Sequence, residues 1–439
     1  MQIFGSLARW IGKKVPDDLA RVDDWTRRVA TMVSAVLIGL VALVFATVGD
    51  RAQDLFLDLT AEYGWLPLVL TPVMFVLIAL LTRKLAPEAR GSGIPQVIAA
   101  GRHPDSEQTL KLVSLRAALA KMVLTVMSLF GGASVGREGP TVQLGAALMV
   151  AVHRALRVKV SAGVLIAGGA AGVAAAFNAP LAGIAFAIEE LAVAYEQRVA
   201  VMVMGAVMIA GLTAQGLAGN YVYFGEIEGS LPVASILIAA PLAGLAGGVL
   251  GGLFSRLMLA LRGPDGRWTS LLGQRPLVTA LVCGIIVGVL GFLTAGQVSG
   301  TGYEATRALL AGEEGDLWFG PAKFVAALAT SVSGIPGGIF APSLAAGSGF
   351  GQLLTVLFPS DQAGVIVLMG MAGYFTGVVR APLTTVIILS ETTGMSGAIV
   401  PLFATALIGD WAGSKVCKER LYHALAKDFL PKGEGEKAS

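Results

Sequence analysis

The sequence predicts an all-α integral membrane protein built from two structurally related halves, and three observations support this fold class. First, 55% of the 439 residues are hydrophobic, only 14% are charged, and the mean hydropathy is +0.74. Soluble domains carry about 25% charged residues. The second observation is a series of uncharged runs long enough to cross a bilayer, and the third is an internal repeat.

Uncharged runs of roughly 20 residues, the length that spans a bilayer as an α-helix, recur along the chain. They lie at 29–49, 63–82, 160–188, 199–225, 229–254, 276–303 and 392–409. The stretch 324–360 is long enough for two passes or for several short helices. Few residues remain outside these runs, so one integral domain is expected.

The distribution of charge predicts the orientation of the chain. Basic residues precede the first run, whereas acidic residues (Asp50, Asp54, Asp58 and Glu62) dominate what we expect to be the loop after it. The C-terminal tail is basic, so the positive-inside rule places both termini in the cytoplasm. Residues 1–28 are amphipathic and charged, unlike a cleavable signal peptide; they fit a segment on the membrane surface or a solvated helix equally well.

The composition gives no sign of a metal, a cofactor or an enzyme. Cys283 and Cys417 lack the spacing of a disulfide framework or of a metal site, and the three histidines are scattered. No HExxH pattern occurs and no base accompanies a candidate serine nucleophile. We therefore expect no cofactor, no catalytic activity and no nucleic-acid partner.

An internal repeat relates the two halves of the chain. The offset of 202 positions that separates Gly136 from Gly338 also pairs other residues, among them one pair of lysines, two pairs of prolines and one pair of glutamates. The pairs are Lys121–Lys323, Pro140–Pro342, Gly145–Gly347, Gly168–Gly370, Pro180–Pro382 and Glu189–Glu391. We predict a first transmembrane repeat at 29–225 and a second at 226–428, flanked by the segment 1–28 and a short tail at 429–439. Paired halves of this kind surround a site near the bilayer midplane in many transporters.

Glycine and proline clusters interrupt the apolar sequence at four places: GSGIP (91–95), GREGP (136–140), GTGYE (300–304) and GIPGGIFAP (334–342). Proline is well tolerated in the first turn of a helix, so Pro95, Pro140 and Pro342 each predict a helix that starts inside the membrane. Such a start exposes N–H groups without intrahelical acceptors and the positive end of the helix dipole. Several of them meeting at one depth would form an anion site.

Glu138, in the second cluster, is a carboxylate leading into one of these helix starts. An ionised carboxylate would compete with a mobile anion for the same N–H groups, and protonation would release it. The same side chain could serve as gate and as proton carrier. The alternative is a structural acid, for example in an ion pair with Arg137, although adjacent residues seldom face each other on a helix.

The clusters GSGIP, GREGP and GGIFAP, together with FNAPLAGIAFAIEEL (177–191) and LYHALA (421–426), resemble the signature segments of the CLC family of chloride channels and chloride/proton antiporters. The resemblance covers about residues 28–428. It implies a fold of about eighteen helices in two inverted repeats, with broken re-entrant helices. It also implies a homodimer in the lipid bilayer, with one chloride and proton pathway per subunit.

The resemblance also assigns site residues. Ser92 and Tyr422 would offer hydroxyl groups to a chloride ion, and Ile339 and Phe340 would offer backbone N–H groups. Glu138 would be the external gate and Glu190 the internal proton-transfer acid. Glu189 rivals Glu190 for that role, because the repeat pairs Glu189 with Glu391.

The most direct prediction is exchange of chloride for protons, and a passive chloride channel of the same fold is the alternative. An acid at position 190 favours exchange, because many channel relatives carry a neutral residue there. The short form of the chain suggests the plasma membrane of a prokaryote. For Lys121 and Lys323 we expect a structural role over a role in setting the electric field.

Overall fold

The computed structural model describes residues 17–191, 197–219, 221–227, 231–263, 268–395 and 397–430. Most of the predicted amphipathic segment 1–28 and of the tail 429–439 lies outside these residues. Within them the secondary structure is helical, apart from one isolated antiparallel bridge. The prediction of an all-α fold of about eighteen helices is confirmed.

In the first half the helices are α1 (Asp17–Glu62), α2 (Leu66–Leu85), α3 (Ile94–Arg102), α4 (Glu107–Leu112), α5 (Leu115–Phe130), α6 (Glu138–Ala155), α7 (Ala162–Phe177), α8 (Pro180–Phe186) and α9 (Gln197–Ala218). In the second half they are α10 (Val233–Arg262), α11 (Thr269–Gln274), α12 (Pro276–Leu293), α13 (Tyr303–Leu310), α14 (Phe319–Ser333), α15 (Phe340–Thr355), α16 (Ala363–Val379), α17 (Pro382–Thr393), α18 (Ile399–Val416) and α19 (Leu421–Ala426). Four short segments complete the described helices: Pro87–Ala89, the π-helical Ala187–Leu191, Ser360–Gln362 and Lys427–Phe429.

Seven helices among the described residues are long and apolar enough to cross a membrane. They are Trp25–Glu62, Leu66–Leu85, Glu107–Phe130, Ala200–Ala218, Val233–Arg262, Pro276–Leu293 and Ser360–Val379. Side chains on the outer faces of α10 and α12 are large, apolar and exposed, among them Leu237 and Val282. These faces suit contact with lipid.

Three expectations about the runs are wrong. The run 160–188 is two helices, because Asn178 adopts a left-handed conformation (φ 55°) that ends α7 before α8 starts at Pro180. The run 392–409 is likewise divided by Gly394 (φ 66°), which ends α17. The acidic residues from Asp50 to Glu62 do not lie in a loop, because α1 continues to Glu62.

Each predicted break in the apolar sequence is followed by a helix start, as expected from the prolines and glycines. Helices α3, α6, α13 and α15 begin at Ile94, Glu138, Tyr303 and Phe340. At the first break the N-cap residue Gly93 has a φ of 110°, and a Cβ there would lie 2.6 Å from the carbonyl oxygen of Gly139. Only glycine therefore allows α3 to start against the first turn of α6.

The repeat organises the centre of the fold. Helices α5 to α9 recur as α14 to α18, and the equivalent glycines Gly136 and Gly338 exchange two backbone hydrogen bonds of 2.8 and 2.7 Å. This pair is the antiparallel bridge. Because the paired segments run in opposite directions, the helices that follow them, α6 and α15, leave the bridge in opposite directions. That arrangement is the one expected of inverted repeats.

Candidate functional site

Glu138 is the first residue of α6, and its side chain is fully buried. Neither carboxyl oxygen has a hydrogen-bond partner among the described residues. The backbone N–H groups of Glu138 and Ala341 lie near enough to stabilise a charge on it, although neither has hydrogen-bond geometry. The carboxyl group of the first repeat therefore lies against the helix start of the second.

Arg137 does not pair with its neighbour Glu138. Its guanidinium group forms an ion pair with Asp50 on α1 and donates a 2.9 Å hydrogen bond to the carbonyl oxygen of Ala46. Glu138 thus keeps its carboxyl group free for another ligand. No motif identifies Asp50 as the partner, but a buried arginine requires a counter-ion, and Asp50 is the first acid after an apolar run.

The predicted chloride ligands lie together beside Glu138. Ser92, Ile339 and Tyr422 line one cavity of about 110 Å³, and the Phe340 ring packs on Tyr422 with a centroid distance of 5.8 Å. Ile339 is the N-cap of α15 and Phe340 its first residue, so their N–H groups have no intrahelical acceptors. Three segments distant in sequence therefore converge at the start of α15.

The hydroxyl groups of Ser92 and Tyr422 are buried and lack hydrogen-bond partners among the described residues. They lie close enough to each other to interact, and the phenol also interacts electrostatically with Glu138 and Glu190. Buried hydroxyl groups are normally hydrogen-bonded. Two that are unpaired and face the same space indicate a site for a ligand that accepts hydrogen bonds, such as an anion.

Glu189 has a structural role in this fold. Its carboxyl group accepts hydrogen bonds from the N–H groups of Leu383 (3.0 Å) and Thr384 (2.6 Å), and from the Thr384 hydroxyl (2.8 Å). These donors belong to the first turn of α17, which would otherwise lack acceptors. Glu189 therefore stabilises a helix start of the opposite repeat.

Glu391 makes the reciprocal contact. It accepts hydrogen bonds from the N–H groups of Leu181 (3.1 Å) and Ala182 (2.7 Å) at the start of α8. By contrast, Glu190 is fully buried, and neither of its carboxyl oxygens has a hydrogen-bond partner among the described residues. This difference separates the two neighbouring acids that the sequence left as rivals.

The two repeat-related lysines are fully buried and donate hydrogen bonds to backbone carbonyl groups in or next to the glycine clusters GSGIP and GTGYE. Lys121 donates to the oxygens of Gly91 (2.9 Å) and Arg90 (3.4 Å). Lys323 donates to the oxygens of Gly300 (2.8 Å) and Val298 (2.9 Å). Both ammonium groups thus hold the segment that precedes a helix start, which supports a structural role.

Comparison with known proteins identifies the sequence class. A family model described as voltage gated chloride channel matches residues 74–414. The H(+)/Cl(-) exchange transporters ClcA of Salmonella agona and of Salmonella dublin are each 30% identical over 436 residues, covering 93% of this chain and 89% of the relative.

Two solved structures share the fold. A slow cyanobacterial Cl-/H+ antiporter aligns with a TM-score of 0.79 and 23% identity, over 93% of this chain and 99% of that one. A CLC-type fluoride/proton antiporter aligns with a TM-score of 0.76 and 23% identity, over 94% and 99%. At this level of identity the likeness extends to the fold alone.

Proposed function

Because this chain belongs to the voltage-gated chloride channel family, we propose that it exchanges chloride for protons across a membrane. The observation that carries the proposal is a pair of fully buried carboxyl groups without hydrogen-bond partners, Glu138 and Glu190, both within electrostatic reach of Tyr422. The ClcA relatives from Salmonella are named as exchangers of the same two ions. Chloride and protons are the substrates, and the reaction needs no cofactor.

The anion site consists of neutral donors. The hydroxyl groups of Ser92 and Tyr422 and the N–H groups of Ile339 and Phe340 bind chloride at the start of α15, beside the cavity that Ser92, Ile339 and Tyr422 line. Partial charges of helix starts and hydroxyl groups stabilise an anion without a full positive charge. Chloride is therefore held firmly enough to enter and weakly enough to leave.

Glu138 acts as gate and proton carrier. When ionised, its carboxylate occupies the helix start near the Ala341 N–H group and excludes chloride. When protonated, it loses this attraction, swings away and carries the proton while chloride takes its place. Apolar surroundings favour the neutral form of a carboxyl group, so protonation of a buried acid is the expected response.

Glu190, which like Glu138 lies within electrostatic reach of Tyr422, supplies the proton. Glu189 is committed to the start of α17, so Glu190 is the acid available for transfer. Water between Glu190 and Glu138 would complete the path. A passive chloride channel would have no need of a second buried acid, and for this reason we favour exchange over the channel alternative.

We also propose the arrangement in the cell. The chain acts as a homodimer in the inner (plasma) membrane of a bacterium, with both termini in the cytoplasm. The exposed apolar faces of α10 and α12 support burial in lipid or against a second subunit. Residues such as Arg102 and Arg420, near Glu190, then lie on the cytoplasmic side, as the positive-inside rule favours.

The test is a paired measurement of chloride and proton flux with purified protein in lipid vesicles. The natural chain should drive protons uphill when a chloride gradient is imposed. E138Q should keep chloride flux and lose proton flux, and E190Q should lose proton flux only. Proton pumping by E138Q, a lack of proton flux in the natural chain, or strong preference for fluoride over chloride would contradict the proposal.

A further inference from the structure

His423 lies between the buried acid Glu190 and the surface. Its Nε2 atom is 3.7 Å from a carboxyl oxygen of Glu190, and its side chain is 26% exposed while that of Glu190 is 0% exposed. The distance is too long for a hydrogen bond and too short for a bridging water. The ring therefore contacts the carboxyl group directly and separates it from the solvent.

Arg102 determines which ring nitrogen carries the proton. A guanidinium nitrogen of Arg102, the last residue of α3, lies 2.8 Å from Nδ1 of His423. Arginine is always a donor, so Nδ1 accepts this bond and carries no proton. A neutral ring then has its N–H at Nε2, the nitrogen that faces Glu190.

Burial, and after it the surrounding charges, lower the pKa of His423 and keep the ring neutral. Arg102 approaches it from α3, and Arg420, which donates a 3.1 Å hydrogen bond to the carbonyl oxygen of Glu189, approaches it from the segment before α19. The ring also faces the backbone carbonyl of Glu190. A second proton on His423 would break the Arg102 bond and place a cation between two guanidinium groups. The ring is thus a fixed N–H donor and does not relay protons by titrating.

We propose that His423 is a positioning residue for Glu190, held by Arg102 as the donor that stabilises the ionised form of the internal acid. Ionisation of Glu190 draws the ring closer, and the 3.7 Å contact becomes a charge-assisted hydrogen bond. The bond holds the carboxylate against the ring and so lowers the tendency of Glu190 to take up the next proton. This inference rests on the proposed exchange function and adds to it the control of proton release at Glu190.

The experiment compares two residues of similar size at position 423. H423Q keeps an N–H donor and H423L does not, and neither can titrate. Chloride and proton flux are measured in vesicles across a range of pH. Loss of a hydrogen bond to a charged group should move the midpoint of the pH dependence of proton flux in H423L upward by about one pH unit. The shift in H423Q should be less than half as large.

Variants of arginine test the role of the tautomer. R102Q should shift the midpoint in the same direction as H423L but by less, because the ring then samples both tautomers. R154Q is the matched control, since Arg154 pairs with the exposed Glu107 through a 2.9 Å hydrogen bond; it should leave the midpoint unchanged. H423M replaces H423L if the leucine variant does not fold.

The outcomes separate this inference from the proposed function. Equal shifts in H423Q and H423L would overturn the donor role, because a donor would rescue one of them. Unchanged midpoints in both, with exchange intact, would overturn the inference and leave the proposed function standing. Absence of proton flux in the natural chain would overturn both.

Discussion

Two adjacent acids, Glu189 and Glu190, should separate stability from transport. Glu189 stabilises the first turn of α17, whereas Glu190 makes no hydrogen bond among the described residues. Replacing Glu189 with alanine should therefore destabilise the fold, and replacing Glu190 with glutamine should alter proton flux. Substitution at position 189 should therefore reduce stability, and substitution at the next position, 190, should change transport instead.

The size of the stability effect follows from the hydrogen bonds. Glu189 accepts three of them, at 2.6 to 3.0 Å. Bonds to a charged group contribute about 1.5–3 kcal/mol each, and the lower value applies because Glu189 is only partly buried. E189A should then lower the free energy of unfolding by about 4.5 kcal/mol. E190Q removes no hydrogen bond and should cost about 0 kcal/mol.

Glu391 provides a matched control from the other repeat. It is also partly buried, but it accepts two hydrogen bonds at the start of α8, of 3.1 and 2.7 Å. E391A should therefore cost about 3 kcal/mol. The free energies of unfolding are measured by titrating the purified variants with a denaturing detergent. The number of chloride ions moved per proton is measured by paired flux assays in lipid vesicles.

The expected order of destabilisation is E189A, then E391A, then E190Q, with the ion ratio altered in E190Q alone. If E189A unfolds as the natural chain does and loses proton flux, the assignment of the two acids is reversed. If E391A leaves the free energy of unfolding unchanged while E189A lowers it, Glu391 does not stabilise the start of α8 as Glu189 stabilises that of α17. The argument from symmetry then fails.

Three further predictions concern the site and its supports. Y422F should weaken chloride binding several-fold, measured by calorimetry, with melting temperature unchanged, because it removes only the hydroxyl group. G139A should reduce chloride flux more than tenfold, because its Cβ would lie 2.8 Å from the carbonyl oxygen of Ser92 and against the hydroxyl group. K323M should lower the free energy of unfolding by about 3 kcal/mol or more in detergent titrations, because it removes the donor to the buried carbonyl oxygens of Val298 and Gly300. K121M should cost less, because the carbonyl oxygens of Gly91 and Arg90 keep donors in the Gly337 N–H group and the Gln96 amide.

The sequence predicted the helix starts well, because their signals are local. Proline within a first turn and glycine before it restrict the backbone whatever surrounds them, and Pro95 and Pro140 are both found there. Helix ends were predicted less well. Asn178 ends α7 in a left-handed conformation, and Pro180 starts the next helix; this local signal lies inside the run 160–188, whose length alone suggested a single span.

Partners distant in sequence were beyond prediction from the residues alone. Asp50 pairs with Arg137 across 87 positions, and Arg102 contacts His423 across 321. His423 was one of three scattered histidines, and the only local sign of its role is its position next to Tyr422. Contacts of this kind depend on how the helices pack, which periodicity does not determine.

The repeat explains why the residues that join the two halves are of the same type in both halves. Gly136 and Gly338 bond to each other, and Glu189 and Glu391 each stabilise a helix start of the opposite half. Such reciprocal contacts require the same residue type at both positions, since each half supplies what the other lacks. Symmetry in the sequence is therefore a sign of residues that join the halves.

The same comparison locates the chemistry where symmetry is broken. Glu138 corresponds in the repeat to Phe340, which packs on an aromatic ring, and Glu190 corresponds to Thr392, whose hydroxyl group bonds within its own helix. A symmetric pair of gates would put two carboxyl groups at one anion site, where like charges oppose ionisation. Glu138 faces the start of α15, which has Phe340 in place of an acid. An anion can therefore bind there when Glu138 moves away. The two halves must therefore differ at these positions if a single carboxyl group is to compete with chloride.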